Sequence, residues 1–445
     1  MTDGTKLTLN QKVAQMVMCR FEGTESMEAL LGLIRERSLS GVIFDGNSAL
    51  DADQVAAISY ELQDAAQEVG AASLWIALDQ QAILAQEAYG VTVMPGAMAI
   101  AAGGRVEAAY EAGVAYGREL KALGMNMQLT PVVDGVDKTG AVADQLLRGW
   151  QEAGVTTFLK VLSTASIREK YSCDGIVVAD CRVKNDTEQA ALLAVEAGAD
   201  LVWVSDGLAG RHRAVESIVQ AVREGRLSEE HIERSVQCLL ELKRKRVEHG
   251  VEAEAASVVG CAEHQALARS LSEVSITVAR DEKRLLPVSK NGSLYVITVD
   301  TTAAEPLYAH GMQEVPMTLG RGLRELGCKV TEFVVAQKEL AALQPEVVRS
   351  VRYGEQVIIA TSNAYRDAEQ GAFVRALQAV GCEPIVVALG SPKDVIAFPG
   401  VSTCVAAYEN SPLALRSAAK VLLGALKASG QLPIRLDEPS EMLYN

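Results

Sequence analysis

The sequence predicts two α/β units in series: a parallel (β/α) barrel of about seven strands, then an α/β sandwich. Three observations carry that reading. Short apolar runs alternate with amphipathic stretches before residue 210. Most of those runs end in Asp. After residue 270 the same rhythm begins again, with no Gly-rich nucleotide loop at any helix start. Strand, helix, strand in this order means parallel β built from βα units.

The runs are MVMCRF (16–21), GVIFD (41–45), SLWIALD (73–79), MNMQLTPVVD (125–134), TTFLKVLS (156–163), DGIVVAD (174–180) and ADLVWVSD (199–206). They are apolar on both faces, as strands must be when helices cover the outside and side chains fill the inside. Amphipathic stretches such as 106–123 and 188–198 supply the helices. A closed barrel of this type has eight strands. Seven runs therefore predict a ring that closes one short or fills its eighth position irregularly. A gap would expose two strand edges and need a cover.

Five runs end at Asp45, Asp79, Asp134, Asp180 and Asp206. In a parallel barrel those ends open on one face, the face that carries chemistry. A single Asp there is also a helix cap. Five at one level predict a carboxylate-rich mouth. Lys160 also ends a strand, where a lysine could form a Schiff base of the aldolase type.

The segment 227–246 reads as one helix with Ser228 as its N-cap. The expected boundaries are a barrel over 1–250, a linker over 251–270 and the sandwich over 271–445. Its strands are SLYVITVD (293–300), KVTEFVV (329–335), EQVIIATS (355–362), PIVVALG (384–390) and TCVAAY (403–408). The linker lacks the Gly/Ser/Pro composition of a flexible tether, so the two units should pack together.

Composition mostly excludes. Lys and Arg number 42 against 57 Asp and Glu, a net charge of −15. That field repels nucleic acid and anionic membranes. No run approaches the length of a membrane span, and the N-terminus lacks a secretory pattern. The eight cysteines show no CxxC and no close His, which argues against a metal site. A reducing cytoplasm suits such thiols. No cofactor is expected.

The segments LTLNQKVAQMV, LSGVIFDGN, LWIALDQ, VMPGAMAIAA, AYGRELKALGMNMQLTPVVD, LLRGWQEAGV and DGIVVAD occur in this order. So do ARSLSEVSITVARDEKRLLPV, VIIATSNAYRDAEQGAFVRAL, IVVALGSPKDVIAFPG and LLGALKASGQLPIRL. Together they resemble glycoside hydrolase family 3, in the branch of β-N-acetylhexosaminidases acting on peptidoglycan fragments. The resemblance implies a TIM-like barrel followed by a sandwich domain. It also implies a small carbohydrate ligand, an amino sugar or muropeptide fragment. Oligomeric state is left open, a homodimer included.

The resemblance assigns roles, and the motifs depart from the family in places. The family's Ile-Asp-Gln-Glu-Gly-Gly-Arg becomes IALDQQAILA here. Asp79, which would hold sugar hydroxyls, is kept, while the two glycines become Ala82 and Ile83. After the fourth run, Asp134 leads into GVDKTGAVADQLLRG, without the family's Arg-Ser-Phe-Gly. The family's Lys-His-Phe-Pro-Gly-His-Gly becomes Lys160-Val161-Leu162-Ser163 and then SIREKYSCDG. The family's long loop, with the His that works as acid/base, is thus missing together with a helix and a strand. Asp180, within Ala179-Asp180-Cys181, keeps the nucleophile position.

Retaining hydrolysis needs a nucleophile and a proton donor. Asp180 supplies the first, and Asp79, Lys160, Asp134 and Asp206 would contact substrate. None of the histidines (His212, His231, His249, His264, His310) falls in a matching loop. Asp206 or Asp134 with a raised pKa, His212, or Glu305, Glu369 or Glu409 from the sandwich are the substitutes to consider. Hydrolysis is therefore expected to be weak or lost. The alternative is a non-catalytic sugar-binding, regulatory or structural relative.

Overall fold

The computed structural model describes residues 7–436 except 24–25, 45–49, 80–85, 88, 132–137, 162–175, 182–185, 205, 249–255, 301–316 and 352–354. The first sheet comprises β1 (Val17–Arg20), β2 (Gly41–Phe44), β3 (Trp75–Leu78), β4 (Met127–Pro131), β5 (Thr156–Val161), β6 (Val177–Asp180) and β7 (Leu201–Val204). Each lies inside one of the seven apolar runs. They form a closed parallel barrel in chain order, with β7 returning to β1.

The ring closes on seven strands, the first of the two arrangements the seven runs predict, and leaves no gap. β5 pairs directly with β6 through Leu159↔Val177, Lys160↔Val178 and Val161↔Ala179. Closing on seven strands satisfies both edges from within the ring, so no cover is required.

The inside of the ring follows from one contact. Trp75 of β3 and Phe158 of β5 meet edge to face with centroids 4.9 Å apart. Their strands are not neighbours, so both rings point inward. From them the registers carry the inward face to Ala77, Met127, Val178, Leu201, Trp203, Met18 and Ile43. The set returns to its start without a break in alternation.

Around the barrel lie α1 (Leu9–Ala14), α2 (Met27–Arg35), α3 (Ala52–Glu68), α4 (Ala97–Ala102), α5 (Val106–Ala122), α6 (Lys138–Glu152), α7 (Thr187–Glu196), α8 (Gly207–Arg223) and α9 (Glu229–Glu248). The N-cap of α9 is Ser228, whose hydroxyl accepts from the His231 amide at 3.1 Å. Lys243 of α9 reaches the barrel floor. Its Nζ donates to Ser40 O at 2.9 Å and Gln15 Oε1 at 3.2 Å, and stands 5.7 Å from the Trp75 ring centroid.

From the barrel the chain passes through α10 (Ala262–Ser275) into β8 (Thr277–Asp281), β9 (Ser293–Asp300), β10 (Lys329–Ala336), β11 (Gln356–Thr361), β12 (Ile385–Ala388) and β13 (Thr403–Ala406). The helices here are α11 (Leu319–Glu325), α12 (Leu340–Ser350), α13 (Ala368–Ala379), α14 (Asp394–Ala397) and α15 (Pro412–Leu422). The sheet order is β10-β9-β11-β12-β13-β8, parallel except for β8. Sequence reading found every strand of this sheet but β8. That strand buries only its first residue, so it lacks the apolar run that marked the others.

The two units are packed together. Glu409 accepts from the Gly96 amide at 2.9 Å, and Gln431 donates its amide to Ala102 O at 2.9 Å. Ala99 and Ala102 of α4 cluster with Ala406, Tyr408, Met98 and Leu432. Limited proteolysis that nicks the 249–255 segment should therefore leave both fragments co-eluting on size exclusion. Separate, soluble halves would contradict the packing.

Candidate active site

Asp79 follows β3, and its amide donates to Phe44 O at 2.9 Å, extending the parallel ladder by one rung. It lies two residues beyond inward-facing Ala77 and is 6% exposed. Asp180 is the last residue of β6, in register with Trp203, which belongs to the inward face. It is 8% exposed. Two largely buried carboxylates thus stand at the strand ends on the mouth side. Lys160 takes the β5 register position beside Val178.

Asp206 departs from the expected grouping. It occupies the N-cap position of α8 without capping through its side chain. Its Oδ2 accepts from Arg213 at 2.8 Å, and both side chains are about half exposed. Asp45, Asp134, Glu305, His249, His310 and the Ala82–Ile83 pair lie outside the described residues.

The proposed substitutes for the acid resolve differently. His212 is exposed on α8. Glu369 is exposed in the first turn of α13. Glu409 is engaged: besides Gly96, it accepts from the Ser411 hydroxyl at 2.8 Å. Burial pushes its carboxyl above the ordinary range, against the opposing pull of those two hydrogen bonds. It works as a tie between the two units. His264 is buried on α10 against Glu119, with Nδ1 2.7 Å from Oε1.

Sequence reading missed one polar pair at the mouth. Arg20 ends β1 in register with inward-facing Ile43, and its guanidinium is 3.7 Å from Glu22. The Glu22 carboxylate sits where a Cβ on Gly207 would be, so the start of α8 needs glycine there, at φ +54°. The run MVMCRFEG held the signal, but attention to Asp-terminated strands passed over it. Among the described residues no group of acidic, His and Cys side chains could hold a metal ion.

A closed parallel barrel with carboxylates at its strand ends, continued by an α/β sandwich, is the architecture of a two-domain glycoside hydrolase. Residues 8–152 match the family profile described as "Glycosyl hydrolase family 3 N terminal domain". A β-N-acetylglucosaminidase of that family from Paenibacillus sp. str. FPU-7 superimposes with a TM-score of 0.77 at 29% identity, over 97% of this chain and 99% of the other. A fungal multi-domain β-N-acetylglucosaminidase gives a TM-score of 0.74 at 21% identity, over 96% of this chain and 61% of the other. Thermostable β-glucosidase B of Acetivibrio thermocellus is 24% identical over 314 residues, 62% of this chain and 39% of that protein. The resemblance to glycoside hydrolase family 3 is thus carried by the profile over residues 8–152 and by the likeness to these relatives.

Proposed function

We propose that this chain holds an amino sugar at its barrel mouth and hydrolyses N-acetylglucosaminides weakly or not at all. Asp180 stands in the nucleophile's place, and Asp79 serves sugar hydroxyls. Lys160 and Asp134 are the further substrate contacts inferred from their strand-end positions, while Asp206 is drawn toward Arg213.

The observation that carries the reading is the direct pairing of β5 with β6. Only 162–176 join the two strands, and that segment contains no histidine. No strand stands between β5 and β6 in the sheet, and the family's acid/base histidine has no counterpart in that sequence. A nucleophile at Asp180 without a proton donor must expel its leaving group unprotonated. The likeness to the Paenibacillus β-N-acetylglucosaminidase over nearly both whole chains supports the amino sugar as ligand.

The test is turnover of nitrophenyl N-acetylglucosaminide by the wild-type chain and by Asp180→Asn, with sugar binding followed by calorimetry. Slow wild-type turnover that falls at least about 10³-fold in Asp180→Asn is expected for a nucleophile. Equal turnover by both chains would remove Asp180 from the chemistry. Binding with no turnover would favour the non-catalytic alternative. Neither binding nor turnover would leave Asp180 as an inherited strand-end carboxylate.

A further inference from the structure

One fully buried carboxylate that joins three segments lies outside the mouth. Glu119, in the last turns of α5, is wholly buried. Its Oε2 accepts the Thr92 amide at 2.6 Å. Its Oε1 accepts the Thr92 hydroxyl at 2.7 Å and faces His264 Nδ1 at 2.7 Å. Three segments therefore meet on one side chain: α5, the β3–α4 connection through Thr92, and α10 through His264.

The β3–α4 connection opens with Asp79. Its described part is firmly folded. Val91 donates its amide to Gln86 O at 2.8 Å, and Tyr89 packs edge-on against Phe44 of β2 at 6.4 Å. α10 is the helix that leads into the sandwich. It is held there by Ser272 against Ser417 at 2.9 Å and by Lys420 to Glu273 at 2.6 Å.

A second contact braces the same two segments independently of Glu119. Gly260, just before α10, has φ +60°, and a Cβ on it would collide with Gly90 O. The approach to α10 thus lies backbone to backbone against the connection, two residues from Thr92.

We infer that Glu119 is a positioning residue that couples the docking of α10, and with it the sandwich, to the connection bearing Asp79. A buried carboxylate is costly unless each acceptor site is filled. Thr92 and His264 both fill sites on Glu119, so withdrawing either leaves the charge under-satisfied and weakens its hold on the other. Movement at the interface between the two units is thereby felt at Thr92, and the reverse. The coupling holds whether or not the mouth cleaves or binds a sugar.

Amide hydrogen exchange on the full chain, without sugar, tests it. In His264→Leu, which keeps volume but removes the donor, amides in 89–96 should exchange about tenfold faster although that segment is unaltered. His264→Asn restores a donor near the Nδ1 position and should return the rates to within about twofold of wild type. Amides of α7 and α13 should not change in either variant. Faster exchange confined to α10, a uniform rise along the chain, or failure of Asn to rescue would each overturn the coupling. Should His264→Leu not fold, Thr92→Val reads the link in the other direction. It should quicken α10 beyond its first turn, and an unchanged α10 would overturn the proposal.

Discussion

Chitobiose should survive this protein under conditions in which nitrophenyl N-acetylglucosaminide is slowly cleaved. The reason is the leaving group. On the proposed function, attack by Asp180 on the anomeric carbon would expel an oxygen that needs a proton unless its anion is stable. Nitrophenolate is a stable anion, and a sugar alkoxide is not. A positioned general acid is worth about 10²–10⁴-fold. That factor should be missing selectively from unactivated substrates. A series of aryl N-acetylglucosaminides should accordingly show rates that climb steeply as the phenol becomes more acidic. A shallow dependence would mean that a donor exists, and alanine replacement of Asp206, His212 and Glu409 would be the way to find it. Cleavage of chitobiose at an ordinary enzymatic rate of about 1–10³ s⁻¹ would refute the reading outright.

Lys243→Met should remove a rise in stability that the wild-type chain shows between about pH 7 and pH 8.5. Lys243 is almost wholly buried at the barrel floor, with two neutral oxygen acceptors and an aromatic face for company. Burial pulls its pKa down to about 7. In the unfolded chain it returns to about 10.4. Between those values the unfolded state binds the extra proton, so stability increases with pH. The contribution is complete above the unfolded pKa and is lost as pH falls through the folded one.

Over the stated window this amounts to about 1.5 kcal/mol, read from urea midpoints of the two proteins at each pH. The buried thiols enter near the top of this window, as the unfolded thiols approach their ordinary pKa of about 8.5, and they cancel between the two proteins. Burial raises Cys19 and Cys404 to about 11, and these act in the opposite sense once the unfolded thiols begin to ionise. Parallel pH profiles for wild type and Lys243→Met would show that the ammonium is solvated after all. Methionine conserves the volume, so its packing cost should stay below about 1.5 kcal/mol.

All seven barrel strands were legible because each lies in a short, mostly apolar run, and amphipathic helices separate most of them. The mouth was legible as far as Asp79 and Asp180, since a strand-end Asp is visible as a pattern. What could not be read was how side chains on separate elements meet. Glu119 and His264 are 145 residues apart and look like ordinary helix-surface residues in sequence. Glu409 was singled out as a loop acid, but only the approach of Gly96 from the barrel reveals it as a tie. Asp206 fitted the strand-end rule, yet Arg213 one and a half turns into α8 draws its carboxylate aside. Lys243 sits among LELKRKR, where charge suggests solvent. Its burial depends on where the floor of the ring happens to fall.

The closure on seven strands has a consequence for any attempt at repair. An eight-membered ring can be filled by repeating layers in which alternate strands take turns pointing inward. Here a single inward face runs round all seven strands without a break. The circumference is also shorter by one strand spacing, about 4.8 Å. A histidine loop inserted between Val161 and Ile176 would therefore meet a ring of smaller girth than an eight-stranded one. Widening the ring would require re-choosing Trp75, Phe158, Trp203 and the rest of the lining in concert.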